Sequence, residues 1–195
     1  TLMMCFAFNS FAQDASFLQK YAEKGDKEAM YNLALCYMRG SGVTQDYNQA
    51  AMWLTKAAKK NYAPAQNQLA ICYRRGTGVM IDYSQAWQFN QKAMKQEYAP
   101  AYYTAASWYK DGIGTTPDKG KWITLLKQSA QMGFDVAQSE LGQLYLFGSS
   151  EANIEPDGKI AYSWIVKAAE QNNADGLCYL GVCYKFGIEV EADEN

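Results

Sequence analysis

The sequence contains no histidine among its 195 residues. That absence removes Ser-His-Asp and Cys-His nucleophilic machinery, imidazole general bases and histidine-ligated zinc or iron in one step. A strong excess of positive charge is missing too. Eighteen Lys and Arg against 20 Asp and Glu give a formal net charge of −2, so there is no basic field to hold nucleic acid. Past the first dozen residues, no apolar run is long enough to cross a bilayer. What remains is 49% apolar and 19% charged, the balance of a chain that folds rather than one that stays disordered.

The N-terminal dozen reads differently from the rest. TLMMCFAF is apolar but short, and NSFAQD follows it. Ser10 and Ala12 fit the −3 and −1 positions of a signal-peptidase site, with cleavage before Gln13. No initiator Met or basic stretch precedes it, so residues 1–12 are expected to be a signal-peptide remnant, and the chain an exported one, periplasmic or secreted. A buried apolar N-terminal segment is the alternative. Cys5 lacks the small preceding residue that a lipoprotein signal wants.

Self-similarity organises everything downstream. CYMRGSGV at 36–43 returns as CYRRGTGV at 72–79, and residues 29–64 match 65–100 at 19 of 36 positions. The register continues through 101–136, then 137–175 with three extra residues near Ser150 to Pro156, and begins again at 176–195. Residues 13–28 are expected to form an N-terminal cap, because FLQKYAEKG resembles the second helix of a preceding unit. The stretch stops two residues after Asp193, where a second helix is due, so the array is expected to continue beyond it.

Each unit predicts a helical hairpin. Ala29, Leu33, Cys36 and Tyr37 fall at i, i+4, i+7 and i+8, one face of a helix. Gly40 and Gly42 end it, since glycine takes the left-handed backbone that closes a helix. Asp46, Asp82, Asp118 and Asp157 recur as N-caps for a second helix, and Pro64 and Pro100 sit where the next first helix starts.

Several features invite a catalytic reading and fail it. The Gly-x-Gly loops follow a helix instead of leaving a strand, and no Walker lysine accompanies them. The four repeated aspartates lie one repeat apart, roughly a helix-packing distance of 10 Å, too far to share a metal or a water. Cys36, Cys72 and Cys183 share a unit position with Trp108 and Leu144, which marks an apolar packing site. No disulfide, metal or cofactor is expected.

The pattern A-x3-L-[AG]-x2-Y-x2-G-x-G-V-x2-D-x3-A with a later K-A-A resembles the Sel-1-like repeat family, a relative of the tetratricopeptide repeat. ALCYMRGSGV with MWLTKAA and AICYRRGTGV with FNQKAM carry the likeness; the third unit is looser, with Ala105 for leucine, Thr115 for valine and Leu125 for Trp. The resemblance implies an all-α fold, a right-handed α/α superhelix or solenoid of stacked helix–turn–helix repeats. It also implies a non-enzymatic scaffold or adaptor that holds a protein or peptide in a concave groove lined by first helices. By analogy with the tetratricopeptide fold, the inward side chains include Tyr31, Met38, Arg39, Asn67, Arg74, Arg75, Tyr103, Lys110, Phe147 and Lys185. Two other functions stay open: a β-lactamase-like hydrolase of the family's cysteine-rich secreted branch, whose C-x7-C bridge spacing is missing here, and a cell-wall glycan binder using some of the 15 tyrosines.

Overall fold

The computed structural model describes residues 15–189. The signal-peptide remnant expected at 1–12, and residues 190–195, lie outside the described residues. Ten helices are described and no strand; the one departure is an isolated antiparallel bridge between Ser149 and Ile154. The chain divides into two compact units at Tyr98/Ala99.

In the first unit, α1 covers residues 15–23, followed by α2 (Lys27–Arg39), α3 (Tyr47–Lys59), α4 (Ala63–Arg75) and α5 (Tyr83–Met94). Helices α2 with α3 and α4 with α5 pack as hairpins, and α3 packs on α4. The core is the stripe that the spacing predicts: Leu33, Leu54, Ala57, Ala65 and Leu69 are fully buried, with Trp53 and Cys72 among them. The second unit repeats the scheme with α6 (Ala99–Asp111), α7 (Lys119–Gln131), α8 (Asp135–Phe147), α9 (Gly158–Glu170) and α10 (Ala174–Phe186). Here Trp122, Leu126, Ala137, Leu141, Ala161 and Ile165 form the core, and the first helices α8 and α10 touch directly.

All four repeated aspartates cap. A side-chain oxygen of each accepts from the amide of the residue three positions on: Gln49, Gln85, Lys121 and Ile160, at 2.9–3.0 Å. Their own amides reach the other way, donating to the carbonyls of Tyr37, Tyr73, Tyr109 and Tyr145 at 2.8–3.0 Å. The spacing of nine residues from Tyr37 to Asp46 is thus a closed loop, lengthened to twelve from Tyr145 to Asp157 by the insertion. At the start of that longer loop Gly148 departs from the αL closure of its equivalents, with ψ 166°, and within it Ile154 folds back into the core.

Two further repeats emerge only in three dimensions. The lysine that opens K-A-A, or K-A-M in the second unit, covers the aromatic ring three residues before it: Lys56 over Trp53 at 3.8 Å, Lys92 over Phe89 at 4.9 Å, Lys167 over Trp164 at 4.4 Å. A glutamine ladder joins successive hairpins. Gln66 donates to the Ala58 carbonyl and accepts from Gln96 at 2.6 Å; two repeats on, Gln138 donates to the Ala130 carbonyl and accepts from Gln171 at 2.8 Å. In the loose third unit Ala105 stands where its equivalents carry Leu33, Leu69 and Leu141. Trp122 stands where they carry Ala50, Ala86 and Ala161. Both are buried, so the hairpin keeps its volume by exchanging a small and a large side chain between its helices.

Tyr37, Tyr73, Tyr109 and Tyr145 pack against the core clusters, but Tyr184 is 42% exposed.

Candidate functional site

In the first unit the first helices α2 and α4 face each other across an open cleft of about 540 Å³. Leu35, Met38 and Arg39 come from α2; Gln68, Ile71, Cys72 and Arg75 come from α4. Tyr47, at the start of α3, and the turn Gly76–Gly78 close one end. The register explains the meeting. Leu35 and Ile71, and Arg39 and Arg75, are equivalent residues 36 apart, so stacking one hairpin on the next lays the two pairs along parallel helix faces.

Hydrogen bonds fix the rim. The Gln45 side chain donates both to the Met38 carbonyl (2.8 Å) and to the Tyr47 hydroxyl (3.0 Å), which leaves the phenol's own proton to donate elsewhere. Gln68 donates weakly to the Met38 sulfur at 3.7 Å. Gly78 fixes the end of the cleft by close approach: a Cβ there would lie 1.9 Å from the Tyr47 carbonyl oxygen. Burial pushes the Cys72 thiol up to about 11, against the pull of Arg75, so it lines the cleft as a neutral group and not as a nucleophile.

The second unit has its own cleft of about 290 Å³ along α6, α8 and α10, lined by Tyr103, Lys110, Ser139, Glu140, Gln143, Asp175 and Tyr179 among others. Past Tyr103, Lys110 and Glu140 it adjoins a smaller hollow of about 160 Å³ over Trp122 and Leu126. The electrostatics are the reverse of those in the first cleft. Burial raises the Tyr103 phenol first, then the negative charge of Glu140, the hydrogen bond between them, and the charge of Asp175. Lys110 lines the same cleft and lies 4.4 Å over the Trp122 ring.

The ten residues expected along the groove separate on inspection. Met38, Arg39 and Arg75 line the first cleft, and Tyr103 and Lys110 the second. Tyr31 is half-buried, edge-on to Tyr62 at 5.6 Å, a pairing repeated by Tyr103 and Phe134. Asn67 is buried and donates to Asn90 at 2.9 Å, which gives it a scaffold role between α4 and α5. Arg74 is half-buried with its Nε unsatisfied. Phe147 stands 59% exposed, edge-on to Tyr179, and Lys185 is exposed beside Phe186.

Sequence reasoning missed Gln68, Glu140 and Tyr179, all at unit position 4, and Asp175. The signal was present: position 4 continues the i, i+3, i+4, i+7 stripe through positions 7, 8 and 11. None of the four described cysteines, Cys36, Cys72, Cys178 and Cys183, forms a disulfide. Among the described residues no three His, Cys, Asp or Glu side chains gather as a metal site needs, and no helix is long and apolar enough to cross a membrane.

Comparison with known proteins agrees with this architecture. The Sel1 repeat model matches residues 27–62, 63–98, 99–134, 135–173 and 174–195, each match opening at or beside the start of a first helix. A crystal structure of a Sel1 repeat protein from Oxalobacter formigenes is similar at TM-score 0.80 and 35% identity, over 92% of this chain and 51% of that one. A protective antigen present in uropathogenic Escherichia coli strains, which displays the same repeat fold, is similar at TM-score 0.69 and 32% identity, over 91% and 37%. DAP3-binding cell death enhancer 1 of Rattus norvegicus is 34% identical over 176 residues, 90% of this chain. This chain spans only 27% of that rat protein, and the same share of its Mus musculus counterpart. With five successive units matched and the hairpins stacked as the repeat requires, the chain belongs to the Sel1 repeat family.

Proposed function

We propose that this chain is a non-enzymatic scaffold that holds a segment of another protein against the first-helix faces of its repeats, chiefly in the α2/α4 cleft. The observation that carries the reading is the cleft itself. Equivalent positions on consecutive first helices form an open, preshaped recess with an apolar floor and polar ends, within the roughly 300–1,000 Å³ of ordinary binding pockets. Arginine and tyrosine beside aliphatic side chains supply the anchor chemistry typical of protein interfaces. Cys72, the thiol lining the cleft, is held neutral by burial, which favours binding over chemistry. The rat relative that is 34% identical over 90% of this chain binds DAP3 by its name, which supports a binding role of the same class here.

The test is site-specific photo-crosslinking. A benzophenone residue placed at Gln68 or Tyr103 should capture partner protein in cells, whereas one at exposed Lys59, on the second helix α3, should not. Equal capture from all three positions would remove the groove as the binding surface.

We further propose that the protein is exported, on the strength of the Ser10/Ala12 pattern after an apolar run. Expression with its native upstream sequence should place the mature chain, beginning at Gln13, outside the cytoplasm. Retention of residues 1–12 on the mature protein would refute this.

A further inference from the structure

We propose that the α2/α4 cleft recognises an acidic segment of its partner, one that presents a carboxylate beside a large apolar side chain. This rests on the reading of that cleft as a protein-binding surface and adds the chemistry of what enters it.

The charge of the cleft is one-sided. Arg39 and Arg75 are exposed, line the same recess and belong to consecutive repeats at the same helical position. Among the described residues neither guanidinium takes part in an ion pair, and no Asp or Glu lines the recess. The position is not basic throughout the array: its equivalents in the next two repeats are Asp111 and Phe147, so the arginine pair belongs to this cleft. A guanidinium presents a planar fork of donors that matches a carboxylate. Tyr47, with its hydroxyl already accepting from Gln45, has a proton left to donate at the same end. The Cys72 thiol is neutral there and adds no opposing charge.

The floor selects against a bare anion. Leu35 and Ile71 are half-buried, line the recess and sit one turn before Arg39 and Arg75 on the same two helices. An inorganic ion or a lipid headgroup would leave that apolar surface wet; a peptide can cover it with one side chain and reach an arginine with the next.

The experiment uses the full chain and three capped, fluorescein-tagged heptapeptides. Each carries one phenylalanine, flanked by glutamates, glutamines or lysines. Fluorescence polarisation should show the glutamate peptide binding at least about tenfold tighter than the other two, with affinity falling as salt rises. Arg39→Gln with Arg75→Gln should erase that preference without lowering the melting temperature, and Arg39→Lys with Arg75→Lys should retain part of it. Ile71→Ala should weaken the glutamate peptide and leave its preference over the lysine peptide in place.

Equal binding of all three peptides would overturn the charge assignment and leave the protein-binding reading intact. Inorganic phosphate or phosphatidylglycerol vesicles that displace the glutamate peptide from the cleft at concentrations comparable to the unlabelled peptide would overturn it in favour of a simple anion site. Failure of every peptide would overturn the inference too, while crosslinking from Gln68 would still report separately on whether the cleft holds a protein.

Discussion

The amide of Asp82 donates to the carbonyl of Tyr73 at 3.0 Å, while the Asp82 side chain accepts from the amide of Gln85 at 2.9 Å. One residue thereby ties the end of α4 to the start of α5. Replacing Asp82 with alanine keeps the first bond and loses the second, and should lower stability by about 1 kcal/mol. Asparagine at the same place, still able to cap, should recover most of that in urea unfolding. A loss as large with asparagine as with alanine would mean the charge, and not the cap, matters.

Glycine at position 78 is required twice over. Its φ of +70° strains any other residue, and a Cβ would meet the Tyr47 carbonyl oxygen at 1.9 Å. Gly78→Ala should therefore cost about 2–4 kcal/mol, combining backbone strain with overpacking. Gly133 makes the control, since its φ is +92° but nothing lies within 4 Å of a Cβ there. Gly133→Ala should cost about 1–2 kcal/mol, the strain alone. Equal losses at the two sites would show that the contact with α3 carries no weight.

The cysteines should react in order of burial. Cys178 is exposed, Cys36 partly so, and Cys72 and Cys183 are buried, with burial raising both of the latter thiols. Iodoacetamide at pH 8 should modify Cys178 first and Cys36 next, reaching Cys72 and Cys183 only in denaturant. Early labelling of Cys72, followed by mass spectrometry, would contradict its place in the floor of the cleft.

Tyr103 should make the second unit sensitive to alkali. Its phenol is raised by burial and by Glu140, so the folded chain keeps a proton that the unfolded chain gives up at about pH 10. Between that pH and the higher folded value the unfolded state binds fewer protons, and stability falls as pH rises. Glu140→Gln removes one of the raising charges. The phenolate of Tyr103, read as the absorbance difference at 295 nm from Tyr103→Phe, should then appear at lower pH. An unchanged titration would detach Tyr103 from Glu140.

Much of this molecule is local and therefore readable in one dimension. The helical spacing of Ala29, Leu33 and Tyr37, the stop at Gly40 and the cap at Asp46 each depend on residues within about two turns of one another, and the period of 36 repeats that local pattern. Composition and spacing could assign those because the physics that sets them acts over the same few residues. The resemblance to a known repeat then supplied the direction of the first helices, from which Met38, Arg39, Arg75, Tyr103 and Lys110 followed.

What the tertiary structure alone decided is which side chains meet when hairpins stack. Arg39 and Arg75 share a recess although 36 residues separate them, Asn67 turns inward to Asn90 across 23, and Gln96 closes on Gln66 across 30. Trp122 and Ala105 trade volumes that no single-helix pattern predicts. Such contacts depend on the distance and rotation between helices, quantities set by packing of the whole stripe and absent from any short window of sequence.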